Sequence, residues 1–234
     1  MPQQFSPLLS LRFNLALAPR DIRAFRGAFA RLAGREADLF HNHNNAPERP
    51  ADYFSRYPVI QYRVRDHHAE VFALGAGVPA LEKLVDSGKL RNFNLRGHRQ
   101  SLRVIEKEAQ FLDPGLTVAQ NLAHRYRIRQ YLPFSQTRFH EYRQLERMGE
   151  RIHLLETVLC NHLVSFCYAM EVPPPPAPRI QVALTQLHRQ HCKRVLNRQP
   201  YQVFDLEFRS NLRVPERVGL GRKTAFGYGV VERV

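Results

Sequence analysis

The sequence predicts an α+β protein of two tandem ferredoxin-like units, each ordered β-α-β-β-α-β, over residues 1–115 and 116–234. Three observations predict it. Residues 8–112 run strand, helix, strand, strand, helix, strand when read by periodicity. Residues from 124 onward run through nearly the same order, with a reduced second helix. With 234 residues, 44% of them hydrophobic, the chain is long and apolar enough for two small cores. No sequence repeat is visible; the repetition lies only in element order. The competing reading is a single α+β domain with an elaborated sheet.

Leu8–Ala18 alternates as a strand, with Leu9, Leu11, Phe13, Leu15 and Leu17 on one side, and Pro19 ends it. Arg20–Gly34 carries Ile22, Phe25, Phe29 and Leu32 at helical spacing, and Gly34 is its stop. Leu39–Pro50 reads as a polar loop holding His41 and His43. Pro58–Arg65 and Ala69–Leu74 read as a hairpin turning at Asp66–His68. Val78–Asp86 is a short helix ended by Gly88, and Ser101–Phe111 is the last strand of this unit.

In the second unit His124–Phe134 reads as a strand, and Ser135–Glu171 as one long helix. Its apolar line runs through Leu145, Met148, Ile152, Leu155, Leu159, Leu163 and Phe166. Pro173–Pro176 stops it. Ile180–Leu187, Gln202–Phe208 and Thr224–Val231 read as strands. A short turn or helix is expected near Val214–Leu220. Arg189, His191, Lys193, Arg194 and Arg198 read as a basic turn between two of the strands.

The formal charge is +14, and only five of the 35 basic side chains are lysines. Arginine is the planar, bidentate phosphate binder and also stacks on bases. This surface predicts nucleic acid first and an anionic membrane second. An arginine-rich proteome would account for the Arg/Lys ratio, but less readily for the net charge. Cys160, Cys167 and Cys192 form no metal-type pair. The first two are seven apart on the long helix and are expected in its core, and an odd, unpaired set fits a reducing compartment. With no signal pattern and no membrane-length apolar run, the expected setting is cytoplasmic.

The most informative stretch is Gly219-Leu220-Gly221-Arg222-Lys223-Thr224-Ala225-Phe226-Gly227-Tyr228-Gly229. Four glycines permit close backbone approach, and N–H groups beside Arg222 and Lys223 would suit a phosphate. A glycine-bulged hairpin at a sheet edge is the plainer account. Phe226 and Tyr228 would either stack on bases or pack in the sheet. Packing is the expectation for Phe226, and Tyr228 stays open. The stretch is not a nucleotide-hydrolase phosphate loop, because Arg222 stands where glycine must precede Lys223, and a strand follows where a helix is needed. His41-Asn42-His43 lacks the separation that metal nucleases with paired histidines need. His188, His191 and Cys192 lack a fourth zinc ligand.

Tandem ferredoxin-like units with this terminal loop resemble the RAMP superfamily of CRISPR-associated RNA-binding proteins. The resemblance is closest to the family that cleaves the repeat RNA of CRISPR transcripts. Gly219, Gly221, Arg222, Lys223, Gly227, Tyr228 and Gly229 match its C-terminal signature. Phe40-His41-Asn42-His43, followed by Tyr57-Pro58-Val59-Ile60-Gln61-Tyr62, is similar to its histidine-bearing loop and the strand after it. The match spans most of the chain by architecture and about thirty residues by motif. It implies a metal-independent, cofactor-free endoribonuclease acting on CRISPR repeat RNA, with His41 and His43 as the catalytic candidates.

Two histidines two apart in an extended segment would face the same way, and imidazole is suited to proton transfer near neutral pH. The RNA-binding candidates are Arg20, Arg23, Arg189, Lys193, Arg194, Gly219, Gly221, Arg222, Lys223, Gly227, Tyr228 and Gly229. Tyr53 and Tyr57 are further candidate participants, as is Lys223 in catalysis. The resemblance also implies other CRISPR-associated effector subunits as partners, and a homodimer. The alternative is a non-catalytic subunit of the same superfamily that only holds guide RNA. A third reading is a basic nucleic-acid-binding protein unrelated to CRISPR.

Overall fold

A computed structural model describes residues 6–34, 37–41, 57–112, 119, 121–171, 179–195 and 199–234. The chain divides into two compact units, Met1–Pro114 and Gly115–Val234. Each holds one four-stranded antiparallel sheet, and both are ferredoxin-like.

The first unit runs β1 (Ser6–Ala16), α1 (Ile22–Ala33), α2 (Ala37–His41), β2 (Ile60–Arg65), β3 (His68–Leu74), α3 (Gly77–Asp86), β4 (Phe93–Leu95), β5 (His98–Gln100) and β6 (Val104–Leu112). Its main sheet is ordered β2-β3-β1-β6. Alternation along β1 puts Leu9, Leu11 and Phe13 on one face, beside Val71 and Ala73 of β3, and all are buried. Phe25 and Phe29 of α1 close that face. Phe29 packs edge-on to Phe13, Tyr62 and Phe93, with ring centroids 5.5–5.9 Å apart. Pro19 opens a 3-10 turn, Pro19–Asp21, where its missing N–H costs nothing, and the chain enters α1 from there. Asp66 and His67 both take positive φ, the geometry of a two-residue hairpin.

Two features here depart from expectation. The segment expected as a loop from Leu39 begins inside a helix, because Phe40 is buried and its carbonyl accepts from Arg26 Nε (3.3 Å) and the Tyr62 hydroxyl (3.4 Å). The small β4–β5 hairpin is an addition to the expected element order. Its strands are three residues each, too short for periodicity to register.

The second unit runs β7 (His124–Tyr131), α4 (Gln136–Gln144), α5 (Met148–Ala169), β8 (Val182–Val195), β9 (Gln199–Ser210), a 3-10 turn at Thr224–Phe226 and β10 (Val230–Arg233). The sheet is ordered β10-β7-β9-β8. Three expectations are corrected. The single long helix is two helices, broken at Leu145–Arg147. Arg151 Nε closes the break on the Leu145 carbonyl (2.9 Å), and α4 lays Tyr142 against Phe134 (4.9 Å) and Phe204 (5.7 Å). The apolar line holds only from Leu155 through Leu159 and Leu163 to Phe166; Met148 and Ile152 are exposed.

The basic turn is instead strand. β8 and β9 pair out to Val195 opposite Gln199, with register shifts between Leu184 and Gln186 and between Leu187 and Arg189, so Arg189, His191, Lys193 and Arg194 are strand residues, while Arg198 lies outside the described residues. The expected last strand from Thr224 starts only at Val230, after a 3-10 turn at Thr224–Phe226; within Val214–Leu220, where a short turn or helix was expected, there is a turn at Glu216–Arg217.

Candidate nucleic-acid interface

The glycine segment is folded down onto the end of β7. Leu220 N–H donates to the Gly229 carbonyl (2.8 Å), closing the segment into a loop. Gly229 N–H reaches the Arg129 and Gln130 carbonyls (3.1 and 3.2 Å), and Arg222 N–H reaches the Leu132 carbonyl (2.9 Å). Phe226 and Gly227 donate to Lys223 and Thr224 within the 3-10 turn (2.8 and 3.0 Å). The Arg222 N–H expected to meet a phosphate is therefore bonded within the protein. The loop offers side chains to a ligand more than backbone.

Two of the glycines are demanded by this docking. Gly221 has φ +92°, and a Cβ there would lie 2.7 Å from the Tyr131 ring and 2.9 Å from the Leu132 carbonyl oxygen. Gly229 has φ +69°, and a Cβ there would run into the Leu220 carbonyl oxygen. Gly219 forms an isolated bridge with Val230, and Gly227 takes φ +80° at the end of the 3-10 turn. Lys223, at φ +61°, is a non-glycine residue in the left-handed region.

Arg222 points outward and is exposed, and Lys223 is partly exposed beside it. Phe226 sits in the 3-10 turn, partly exposed, rather than on a strand. Tyr228 packs against buried Leu132 and Val203, so its ring serves the loop's anchorage, and that burial raises its hydroxyl pKa.

Beneath the loop, the Tyr131 hydroxyl meets Nδ1 of His162 on α5 at 2.8 Å. Burial, and secondarily the Arg222 charge, lower the His162 pKa to about 4. The imidazole is thus neutral at physiological pH. Tyr131, whose own pKa burial raises, keeps its proton, so the contact is a hydrogen bond between two neutral groups. Sequence reasoning missed this pair. Tyr131 and His162 are 31 residues apart, with no local signal linking them.

The other candidates fall on separate elements. Arg20 lies in the 3-10 turn before α1 with its side chain 87% exposed, and Arg23 is exposed on α1. Arg189 is exposed on β8, where Lys193 and Arg194 continue the strand. His41 is the last residue of α2, so the premise of an extended backbone fails on its side of the pair. His43 and Tyr53 lie outside the described residues. Tyr57 accepts a hydrogen bond from Gln61 Nε2 (2.9 Å), and burial raises its pKa.

His188, set aside as a zinc ligand, is bonded through Nε2 to Glu207 (3.0 Å). Cys167 is buried as expected, Cys160 only partly so, and Cys192 is exposed. Among the described residues no group of three His, Cys, Asp or Glu is placed to hold a metal ion, and no helix is long and apolar enough to cross a membrane. The arginines at 125, 127 and 129 were also missed, although their spacing of two on a predicted strand is a readable sign of one basic face.

Tandem ferredoxin-like units ending in a cationic glycine loop define the RAMP class of CRISPR-associated proteins. The chain belongs to the Cas6b family: residues 7–110 match the Cas6b N-terminal domain and residues 118–234 the Cas6b C-terminal domain. Solved structures share its fold. A Cas6b crystal structure superposes with a TM-score of 0.76 at 20% identity, covering 97% of this chain and 100% of that one. A CRISPR RNA processing endoribonuclease Cas6b gives 0.70 at 19% identity, covering 99% and 100%. Csf5, a type IV Cas6 crRNA endonuclease, gives 0.59 at 19% identity, again covering 99% and 100%. No curated protein is significantly similar in sequence.

Proposed function

We propose that the protein is a metal-independent endoribonuclease that cuts CRISPR precursor RNA within the repeat. Membership of the Cas6b family along both halves of the chain carries this reading. It is supported by the exposed Arg222 beside a loop that its glycines hold against β7.

The 2′-oxygen attacks the adjacent phosphorus while a base takes the hydroxyl proton. The bond from phosphorus to the 5′-oxygen breaks, and an acid protonates the leaving oxygen. The products are a 2′,3′-cyclic phosphate and a 5′-hydroxyl. His41 and His43 supply the proton transfers. Arg222 and Lys223 hold phosphates and offset the charge that builds on the phosphorane. Arg20, Arg23, Arg189, Lys193 and Arg194 extend the contact with the RNA backbone. The cleaved repeat stays bound and enters an assembly with other CRISPR-associated subunits, and the protein acts as a homodimer.

The test is cleavage of repeat RNA from its own locus in EDTA, with His41→Ala and His43→Ala made separately. We expect cleavage without metal and none of RNA carrying a 2′-deoxy nucleotide at the cut site. At least one histidine variant should slow the single-turnover rate by about 10²-fold or more. Tight binding with no cleavage, with or without Mg²⁺, would select the guide-holding role instead. The arginine groups serve either role, since they bind phosphate whether or not the strand is cut.

A further inference from the structure

The face of the second sheet opposite its helices has a construction of its own. Along β7 the buried Tyr126 and Ile128 alternate with Arg125, Arg127 and Arg129. Along β9 the buried Leu206 and Phe208 alternate with Asp205, Glu207 and Arg209. Register sets Arg125 opposite Arg209 and Arg127 opposite Glu207, and β8 places Arg189 opposite Asp205. Glu207 is 1% exposed, at the centre of this face.

Its Oε1 accepts from Arg127 Nη2 (2.6 Å), Arg127 Nε (3.1 Å) and His188 Nε2 (3.0 Å). Its Oε2 accepts from Arg125 Nη2 (2.8 Å). These bonds, led by Arg127, hold the Glu207 pKa down at about 2. A guanidinium has five N–H donors, so Glu207 takes three of the ten on Arg125 and Arg127. Their side chains stay 48% and 37% exposed. Two guanidinium heads two residues apart on one strand would otherwise repel and sample many rotamers. The carboxylate beneath them offsets the repulsion and fixes both planes, with donors left over.

We propose that this face is an RNA-backbone site in which Arg125 and Arg127, oriented by the buried carboxylate of Glu207, bind phosphodiester oxygens. The ligand class follows from the chemistry. Fixed guanidinium forks match phosphate oxygens, with Arg209 and Arg189 exposed nearby to continue the contact. Glu207 is a positioning residue here, since it touches the arginines and not the RNA. The site rests on RNA being the ligand of the protein, but not on the chain cutting it.

The experiment separates positioning from net charge. Binding of repeat RNA, made uncleavable by a 2′-deoxy nucleotide, is measured across a salt series for wild type, Glu207→Gln, Arg125→Ala and Arg127→Ala. Coulomb's law alone makes Glu207→Gln bind more tightly, because it removes a negative charge. Positioning makes it bind about five- to tenfold more weakly. Each arginine variant should lower the slope of log K against log salt by about 0.7–0.9, and Glu207→Gln should lower it too. Arg125→Lys with Arg127→Lys keeps charge and fold but loses the fork, and should weaken binding comparably.

Unchanged or tighter binding by Glu207→Gln, in a variant whose circular dichroism matches wild type, overturns the proposal. Unchanged binding by the double lysine variant overturns it as well. Wild type that binds the repeat but leaves the unmodified, all-ribose RNA uncut, with Glu207→Gln binding more weakly, removes the nuclease reading and supports this one. Wild type that binds no RNA overturns both.

Discussion

The Tyr131 hydroxyl lies 2.8 Å from His162 Nδ1, and the ring carrying that hydroxyl is the surface against which Gly221 is packed. One hydrogen bond thus links α5, β7 and the glycine loop. Burial, not this bond, keeps the imidazole neutral.

The pH dependence of stability follows from the burial of His162. Folding lowers the His162 pKa from its ordinary 6.5 to about 4. Between those values the unfolded chain holds a proton that the folded chain refuses. Its contribution is therefore complete above pH 6.5, declines as pH falls toward 4, and levels off below. Denaturant unfolding at about pH 7 and about pH 5 should show wild type losing more stability than His162→Gln, which does not titrate there. Equal losses would count against the neutral-imidazole account.

Glycine replacements separate backbone conformation from packing. Gly88 has φ +71°, and a methyl group placed there would meet nothing within 4 Å, so Gly88→Ala should cost about 1 kcal/mol, from left-handed backbone alone. Gly229→Ala adds a collision with the Leu220 carbonyl to the same penalty and should cost several-fold more. Thermal unfolding ranks the two, and the glycine loop's RNA binding should fall only for the second.

The two cations of the loop should act through phosphate. Arg222→Ala and Lys223→Ala should each weaken repeat RNA binding and reduce its salt slope by about 0.7–0.9, with little discrimination among RNA sequences. A sequence-selective loss would reveal base contacts instead.

Phe29 is the hub of the first core, fully buried and packed against Phe13, Phe25, Tyr62 and Phe93. Phe29→Ala should destabilise the protein by about 3–5 kcal/mol, measured by chemical denaturation. A loss under about 1 kcal/mol would mean the core closes around the gap.

The candidate site residues could be singled out in the sequence because they are local. The glycine spacing, the two loop cations and the histidine pair lie in short windows, and side-chain type alone suggests phosphate binding and proton transfer. The order of strands and helices was legible because burying one face imposes a period of two or of 3.6 on the residues that face it.

What the sequence alone determined is therefore the alternation, the helical stripes, the glycine positions and the arginine excess. Tertiary structure decided which groups meet. It broke the expected long helix so that Tyr142 could lie on Phe134 and Phe204. It turned a supposed basic turn into paired strand and tied the Arg222 N–H to Leu132. It also brought Glu207 beneath arginines some eighty residues away in the chain. Such pairings arise from register and packing between distant segments, and no local window of residues encodes them.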